Sequence, residues 1–278
     1  MLIAGGFEFD FMSTLSRMVG HMYNDEMPPV PTEDLNPLIR LLDVADASAG
    51  AAALRARSYE LLHIAPGVRA VDVGCGTGRA VAEMNERGAE AVGIDASVQM
   101  IDEGRRRRPD LDLRVGDAYE LSLPDGSVAA YRADKVYHEL DDPAKALGEA
   151  FRVLTPGGRI ALIGQDWESF IIDSDTPAIT RTIVQARADT VPNPRAARRY
   201  RNLLLDAGFE DVAVEVRTGI FTDATMLPML SGIAEGASAA GALDREQADM
   251  WTAEQATRAK AGRLFLAIPL FLASAGRP

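Results

Sequence analysis

An α/β fold built on a mostly parallel sheet is predicted by two features of the sequence. Between residues 68 and 164, short apolar runs alternate with segments of helical pattern. Strands that alternate with helices of this size form a parallel sheet covered on both faces. The second feature is the stretch VDVGCGTGRA at 71–80, where an apolar run turns through three glycines into a helical segment. Glycine at this density is costly inside a strand or helix, so the turn requires bare backbone.

Five strands and the helices between them follow in order along this core. The strands are predicted at RAVDVG, AEAVGID, LDLRVG, SVAAYRA and GRIALIG, and the helices at 79–88, 97–107 and 143–154. Ser97 is a plausible N-cap, Pro143 suits a first helical turn, and TPGG at 155–158 is typical of a turn. A later helix is expected from about Pro194 to Ala207, closed by Gly208.

The remaining chain has a different pattern. FEDVAVEVRTGIF alternates like a half-exposed strand, whereas residues 224–262 have the pattern of two helices before a last apolar strand at 264–275. Helical segments, one of them near 48–63, also precede the core. We therefore expect an N-terminal helical lid at 1–66, a core at 67–223, an inserted helical cap at 224–262 and a final core strand at 263–278.

Composition narrows the class of protein. The chain has 278 residues and a net charge of −12, which argues against a dedicated nucleic-acid binder because such binding rests on basic residues. The single cysteine, Cys75, excludes an intrachain disulfide and fits a reducing compartment. The longest apolar run, at 264–275, is too short for a membrane-spanning helix. A cytoplasmic protein that binds neither membrane nor nucleic acid is expected.

Acidic residues follow the glycine turn at the ends of the next two strands. Asp95 ends the second strand, where a carboxylate can accept bonds from two ribose hydroxyls, and Asp117 ends the third, where it can read an adenine edge. Ligands of open α/β sheets bind outside the carboxyl ends of the strands. The glycine spacing is G-x-G-x-G, whereas the dinucleotide fingerprint is G-x-G-x-x-G.

Four stretches in order, VDVGCGTG, VGIDASVQMI, VGDAYELSLPDGS and EAFRVLTPGGRIAL, resemble the motifs of class I S-adenosylmethionine-dependent methyltransferases. Within that family they look most like the ubiquinone/menaquinone-biosynthesis-like group, which includes many natural-product enzymes. The resemblance covers about residues 60–220. It implies a Rossmann-like seven-stranded sheet, mostly parallel with an antiparallel last strand, and S-adenosylmethionine (SAM) as cofactor with S-adenosylhomocysteine as product. A dinucleotide site or a vestigial fold is the alternative.

The resemblance also assigns residues to the cofactor. It places the glycine turn at the methionine part of SAM, Met100 against the adenine, and the backbone of Ala133 at the methionine amino group. Arg57 is a candidate for the methionine carboxylate, although a surface arginine of a helix is the commoner explanation. The implied cofactor-binding set is Arg57, Asp72, Gly74, Gly76, Gly78, Asp95, Ala96, Met100, Asp117, Ala118 and Ala133.

Candidates for the chemistry follow the fourth and fifth strands. His138, in YHE where the group often shows LHH, and Asp166, in GQDWE, are the candidate catalytic residues. Acceptor contacts are expected from Tyr23, Gln165, Trp167 and Glu168. A histidine satisfied in the core and an ordinary polar loop are the alternatives. A base is needed only where the acceptor is a hydroxyl.

These residues predict methyl transfer to O, N or C of a small, aromatic or polycyclic acceptor, in secondary metabolism. Two other functions stay open: a non-methylating cyclisation on the same fold, and a SAM-binding regulatory protein. Three scattered histidines and one cysteine lack metal-ligand spacing, so no metal is expected. The sequence leaves open whether the protein is a monomer or a homodimer.

Overall fold

The computed structural model describes residues 47–278, so the predicted acceptor residue Tyr23 lies outside the described residues. Within that range the chain forms eight helices, eight strands and one short 3-10 turn at Ala224–Met226. In chain order these are α1 Ala49–Leu61, β1 Arg69–Val73, α2 Arg79–Glu86, β2 Glu90–Asp95, α3 Val98–Arg107, β3 Asp112–Val115, β4 Val128–Asp134, α4 Pro143–Val153, β5 Leu154–Gln165, β6 Ile171–Ile172, α5 Pro177–Asp189, α6 Ala196–Asp206, β7 Glu210–Phe221, α7 Leu227–Ala239, α8 Arg245–Lys260 and β8 Leu266–Gly276.

The strands form one mixed sheet in the order β3-β2-β1-β4-β5-β8-β6, with β7 also paired to β8. Strands β1 to β5 pair in parallel, whereas β8 runs antiparallel to β5, from Arg159 opposite Gly276 to Gln165 opposite Leu270. The predicted parallel sheet with an antiparallel last strand is confirmed. The structure has eight strands where seven were expected, because the two-residue β6 also joins the sheet.

The chain divides into two compact units. One comprises Ala52–Ile171, Arg187–Ile220 and Leu266–Pro278, and the other comprises the described residues up to Ala51 with Ile172–Ala186 and Phe221–Phe265. Most of α1, which we grouped with the lid, belongs to the unit that holds the sheet. The lid and cap functions stay predictions.

The central parallel strands are buried on both faces, as a parallel sheet requires. Val71 and Val73 of β1 belong to one hydrophobic cluster, and Ala70 of the same strand belongs to a second cluster with Val81 and Met84 of α2. Because side chains alternate along a strand, β1 contributes to the core on both sides. This burial explains why the strands appear as nearly continuous apolar runs in the sequence.

The predicted helix start signals are confirmed. The Ser97 side chain accepts a hydrogen bond from the N–H of Met100 at 3.3 Å, and Pro143 lies in the first turn of α4. TPGG follows the end of α4 at Val153, as predicted, and its turn is an irregular stretch within β5: the pairing with β4 passes from Leu154 directly to Arg159, and Gly157 has a φ of 76°. The Gly157 N–H donates to the Arg277 carbonyl, and the Arg277 N–H donates to the Gly158 carbonyl, both at 2.8 Å. A later segment of chain thus supplies hydrogen bonds that hold TPGG in the sheet.

The second unit contains the two helices expected between 224 and 262, now α7 and α8. Helix α8 begins with a capping box in which the Asp244 side chain and Gln247 satisfy each other's backbone N–H groups. Within this unit, the buried Trp251 indole N–H donates to the Thr180 hydroxyl at 2.9 Å. The guanidinium of Arg258 binds acidic side chains of the same unit: Asp173, Asp175 and Glu254.

Candidate active site

The glycine turn between β1 and α2 has one residue that faces open space. All three glycines have positive φ, at 69° for Gly74, 55° for Gly76 and 84° for Gly78. A Cβ at Gly74 would lie 2.2 Å from Val136 Cγ2, and one at Gly78 would lie 2.9 Å from Leu113. A Cβ at Gly76 would meet no atom of residues 47–278 within 4 Å. Gly74 and Gly78 therefore permit internal packing, whereas Gly76 leaves its bare backbone accessible to a ligand.

Strand β2 holds this turn in place. The N–H groups of Gly74 and Cys75 donate to the Ile94 carbonyl at 2.7 and 3.2 Å. The Asp95 carboxylate accepts from the Gly76 N–H and from the Ser97 N–H, each at 2.8 Å. A carboxylate has about four acceptor positions. Asp95 can therefore fix the turn and still accept two hydroxyl groups of a ligand.

Residues predicted to contact adenosine lie at one edge of the sheet. Asp95 and Val115 pair in register at the ends of β2 and β3, so Asp117, two residues later, follows the neighbouring strand end. Asp117 is exposed and accepts from the Tyr119 N–H at 2.8 Å. Of the three apolar candidates at this edge, Met100 and Ala118 are buried and Ala96 is exposed. Their contacts with SAM stay predictions.

Asp72 lies inside β1, where it is 2% exposed and ion-paired rather than open to a ligand. Its Oδ1 accepts from Arg132 Nη1 at 2.8 Å, and Arg132 Nη2 donates to Asp134 at 2.8 Å. Burial, assisted by the charges of Asp134 and Asp95, raises the pKa of Asp72 in spite of the pairing. The expected direct contact between Asp72 and the methionine part is replaced by a buried charge cluster beneath the turn.

Arg132 is the main residue of the site region that the sequence analysis missed. Its Nε donates to the Ser58 hydroxyl at 3.0 Å, and its guanidinium lies 5.8 Å from the centre of the Tyr59 ring. The sequence did contain a signal for this role, since Arg132 is the one charged residue in the apolar run SVAAYRA. An arginine in a buried strand requires acidic partners, and Asp72 lies in the adjacent strand.

Two cofactor candidates occupy other positions than expected. Ala133 is 1% exposed and lies within β4, not after it, in register with Val73 and Leu162. The guanidinium of Arg57 donates to Glu60 and Glu215, with its shortest bond at 2.5 Å to Glu215. These two carboxylates already engage Arg57, which favours the alternative that it is a structural surface arginine.

His138 lies in the turn after β4 and is 4% exposed. Its Nε2 is 3.0 Å from Glu139 Oε1, and the hydrogen bond from His138 lowers the pKa of Glu139. The imidazole ring meets the Trp167 ring edge to face, with centroids 5.6 Å apart. The imidazole is therefore held in place on one side, which is the arrangement expected of an oriented proton acceptor.

Asp166 has a structural role that the sequence analysis did not foresee. Its side chain is fully buried, and Arg198 donates to both carboxylate oxygens. The Glu168 N–H donates to the same carboxylate at 3.0 Å, and Glu168 also pairs with Arg195 and Arg198. These contacts anchor the GQDWE loop to α6. They occupy the oxygens that a catalytic Asp166 and an acceptor-binding Glu168 would use.

Trp167 is a packed side chain rather than an open stacking platform. It is 6% exposed, lies 5.3 Å from the Phe170 ring in a stacked arrangement, and has the Arg187 guanidinium 4.2 Å from its centre. Ala188 and Val191 complete this small cluster. Phe170 and Arg187 thus pack against the indole ring, and the acceptor contact of Trp167 stays a prediction.

Three polar side-chain atoms after β4 and at the end of β5 are buried without a hydrogen-bond partner in the described chain. Each has no hydrogen-bond partner among residues 47–278, and each belongs to a side chain that is at most 9% exposed. Burying a polar group without a partner costs about 1–3 kcal/mol. The three atoms are His138 Nδ1, Gln165 Oε1 and Trp167 Nε1.

Cys75 lies in the glycine turn and is 8% exposed. Burial, followed by the charges of Asp72 and Asp95, raises the pKa of its thiol. Across the described part of the chain, no cluster of three or more His, Cys, Asp or Glu side chains could hold a metal ion. In the same part, every helix is too short or too polar to cross a membrane.

Known proteins share both the sequence and the fold. A family model described as a methyltransferase domain matches residues 71–162. A 37.1 kDa protein of a Streptomyces fradiae transposon is 31% identical over 269 residues, which cover 93% of this chain and 74% of that protein. The demethylmenaquinone methyltransferase of Renibacterium salmoninarum is 38% identical over 97 residues, which are 35% of this chain. That match spans less than half, 41%, of the enzyme's length.

Solved structures share the fold at low sequence identity. The YcgJ protein of Bacillus subtilis has a TM-score of 0.57 at 14% identity, covering 81% of this chain and 98% of that one. The [4+2]-cyclase SpnF has a TM-score of 0.50 at 20% identity, covering 96% of this chain and 92% of that one. The sheet order, the glycine turn with Asp95 and these relatives lead to one conclusion: the chain belongs to the class I S-adenosylmethionine-dependent methyltransferases.

Proposed function

We propose that this protein transfers the methyl group of SAM to O, N or C of a small, aromatic or polycyclic metabolite, in secondary metabolism within the cytoplasm. One observation carries the donor side of the proposal. Gly76 faces open space, and the adjacent Asp95 carboxylate keeps acceptor capacity beyond its two backbone bonds. This combination suits a ligand that brings both a chain close to the backbone and a pair of hydroxyls.

The residues of the turn fit SAM in shape and charge. Gly76 would admit the methionine part, Asp95 would bind the ribose, and Asp117 with Met100 would receive the adenine. SAM when bound supplies an activated methyl group on a positively charged sulfur. Three carboxylates around the turn, Asp72, Asp95 and Asp134, face two basic groups, Arg132 and Lys135, so the local charge is slightly in favour of a cationic ligand.

The acceptor side of the proposal rests on the unpartnered atoms of His138 and Gln165. An amine could donate to both atoms and a hydroxyl to one of them, because the Gln165 amide oxygen accepts and His138 Nδ1 accepts while Nε2 donates to Glu139. With a hydroxyl acceptor, His138 Nδ1 would take the proton as the new bond forms, while Glu139 holds Nε2. With an amine or carbon nucleophile, the same residues would only orient the acceptor.

Alignment is the chain's main contribution in this reaction. Displacement at a methyl group is in-line and disperses charge, so holding both reactants in position lowers the barrier more than any proton transfer. The loop after β5 is anchored for this purpose by Asp166 and Arg198. A rigid loop keeps Gln165 and its neighbours in one arrangement during turnover.

A product assay tests the proposal. The protein is incubated with SAM and a panel of phenols, amines and polycyclic compounds, and S-adenosylhomocysteine is measured by mass spectrometry. Product that appears only with an acceptor, and falls with Asp95→Ala but not with Asp102→Ala, supports methyl transfer. Asp102 is a matched control because it is an exposed carboxylate on α3. Lack of S-adenosylhomocysteine with every acceptor, although SAM binds, contradicts the proposal.

The similarity to the SpnF fold favours a second candidate, a cyclisation without methyl transfer. SpnF is described as a [4+2]-cyclase, and it aligns with nearly the whole of this chain. A cyclase would convert a polyene into an isomer of equal mass and leave SAM intact. A SAM-binding regulator would give neither product. S-adenosylhomocysteine therefore separates methyl transfer from the other two functions. Chromatography of a polyene before and after incubation separates those two, because only a cyclase gives a new peak of equal mass.

A further inference from the structure

Strand β7 has an exposed long edge. It is twelve residues long, and its sheet partner among the described residues is β8 alone. Three of its aliphatic side chains are exposed: Val214 by 39%, Val216 by 54% and Ile220 by 62%. A long edge strand with apolar side chains is a template for pairing with another strand. Strands β3 and β6 also expose an aliphatic side chain, Val115 and Ile171, but they are only four and two residues long, so β7 is the long exposed strand that needs an explanation.

The two faces of β7 differ in character. Since side chains alternate along a strand, Val214, Val216 and Ile220 share one face, and Glu215 and Arg217 share the other. The side chains of Glu215 and Arg217 are 32% and 53% exposed. An apolar stripe on one face is thus matched by a single pair of opposite charges on the other, centred on the same residue, Val216.

We propose that β7 pairs antiparallel with β7 of a second copy of this chain, with Val216 at the two-fold axis. In this register Glu215 lies opposite the partner's Arg217, and Arg217 lies opposite the partner's Glu215. Val216 lies beside its own copy, and Val214 lies opposite the partner's Thr218. Opposite charges directly across two antiparallel strands stabilise the pair, so the arrangement gains two such pairs by symmetry.

The charges also select this register over its neighbours. A two-fold axis normal to the sheet requires each residue to face one on the same side of the sheet, so the axis passes through a residue. Centring on Glu215 would bring two glutamates together, and centring on Arg217 would bring two arginines together. Both neighbours are unfavourable because like charges directly opposite destabilise a strand pair. Only Val216 as centre makes both contacts attractive.

Charge reversal tests the pairing directly. In Arg217→Glu the partner's Glu215 faces a glutamate, and in Glu215→Arg the partner's Arg217 faces an arginine, so each variant alone should dimerise at least about tenfold more weakly. Mixing the two variants restores two attractive pairs and should give a heterodimer. Light scattering and native mass spectrometry measure both results. Thermal unfolding checks that Glu215→Arg, which also removes the contact with Arg57, still folds.

A second pair of variants tests the apolar stripe. Val216→Glu places two carboxylates on the axis and should abolish the dimer. Val98→Glu is the matched control, because Val98 is an exposed valine of the same unit, at 57% against 54%. It should leave the dimer intact. A wild-type protein that is monomeric at all attainable concentrations overturns the proposal, as does a dimer that persists in Val216→Glu or variants that fail to combine on mixing.

Discussion

The carboxylate of Asp95 accepts the backbone N–H of Gly76 at 2.8 Å and so joins the end of β2 to the glycine turn after β1. The same carboxylate accepts from Ser97, which caps α3. One side chain thereby sets the relative positions of the turn, the strand end and the helix start. In the proposed function it also contacts the cofactor, so it has both a structural and a binding role.

Asp95→Ala should weaken SAM binding by at least about tenfold, since bonds to a charged group contribute roughly 1.5–3 kcal/mol each. Part of the loss comes from the freed Gly76 N–H and part from the ligand itself. Titration calorimetry measures the affinity, with Asp102→Ala as control. Unchanged affinity in Asp95→Ala would show that the adenosine lies elsewhere.

Alanine at Gly76 should mainly weaken SAM binding, whereas alanine at Gly74 should mainly lower stability. Gly76→Ala has room for its methyl group, so it should cost only about 1–2 kcal/mol for the left-handed backbone while blocking the ligand's approach. Gly74→Ala must displace Val136, so it should lower the thermal midpoint far more. Thermal scans with and without SAM separate the two. If SAM still raises the midpoint of Gly76→Ala as it does for wild type, the open side of Gly76 is not the ligand side.

Removing the buried Arg132 should destabilise the fold severely. Arg132→Met leaves the carboxylates of Asp72 and Asp134 without their shared partner, which costs about 3–5 kcal/mol for a buried pair. Arg114→Ala, which breaks a half-exposed pair with Asp112, should cost at most about 1 kcal/mol. Urea unfolding gives both values. Similar losses in the two variants would contradict a strong role for the buried cluster.

Acid stability should depend on Glu103. Hydrogen bonds from Arg106, together with Arg107, lower its pKa from 4.5 to about 2. A carboxylate with a lowered folded pKa stabilises the protein above pH 4.5, and this contribution is lost as the pH falls toward 2. Glu103→Gln should therefore be less stable than wild type near neutrality, and the difference should shrink on acidification. Unfolding curves across this range measure it, and a constant difference would argue against the linkage.

Gln165→Leu should separate stability from activity. Its amide oxygen is buried without a partner in the described chain, so leucine should preserve or raise stability while the acceptor loses a contact. A raised KM at unchanged SAM affinity is the expected result. Ser127→Ala is the matched control, because the Ser127 hydroxyl is also buried without a described partner but precedes the start of β4, at the opposite end of the sheet from Gln165. Activity retained in Gln165→Leu would move the acceptor away from this loop.

The parallel core was predictable from sequence because each of its elements has a local signal. Apolar runs specify buried strands, and Ser97, Pro143 and Gly208 lie at helix ends where their backbone chemistry is favoured. TPGG was correctly predicted as the end of a helix, but not as part of β5, because its place in the sheet depends on hydrogen bonds with Arg277, which is distant in sequence. Long-range pairing of this kind leaves no trace within a short window.

The site was predictable in its positions but less so in its roles. The turn, Asp95 and Asp117 lie together because strand ends of a parallel sheet meet at one edge. Asp72, Asp166 and Trp167 are of residue types common in active sites, yet the structure engages them with Arg132, Arg198 and Phe170. Which arginine pairs with which carboxylate is decided by packing, and packing is not visible in one sequence.

The rate at which the buried thiol of Cys75 is alkylated measures how often the glycine turn opens. A thiol with a raised pKa and little exposure reacts with an alkylating reagent only while the glycine turn opens, so its labelling rate counts those openings. As the chain has one cysteine, the added mass reports on this turn alone. Any ligand that binds against Gly76 would lower the labelling rate of Cys75 in proportion to its occupancy. Ligand screening then needs neither a substrate nor an engineered label.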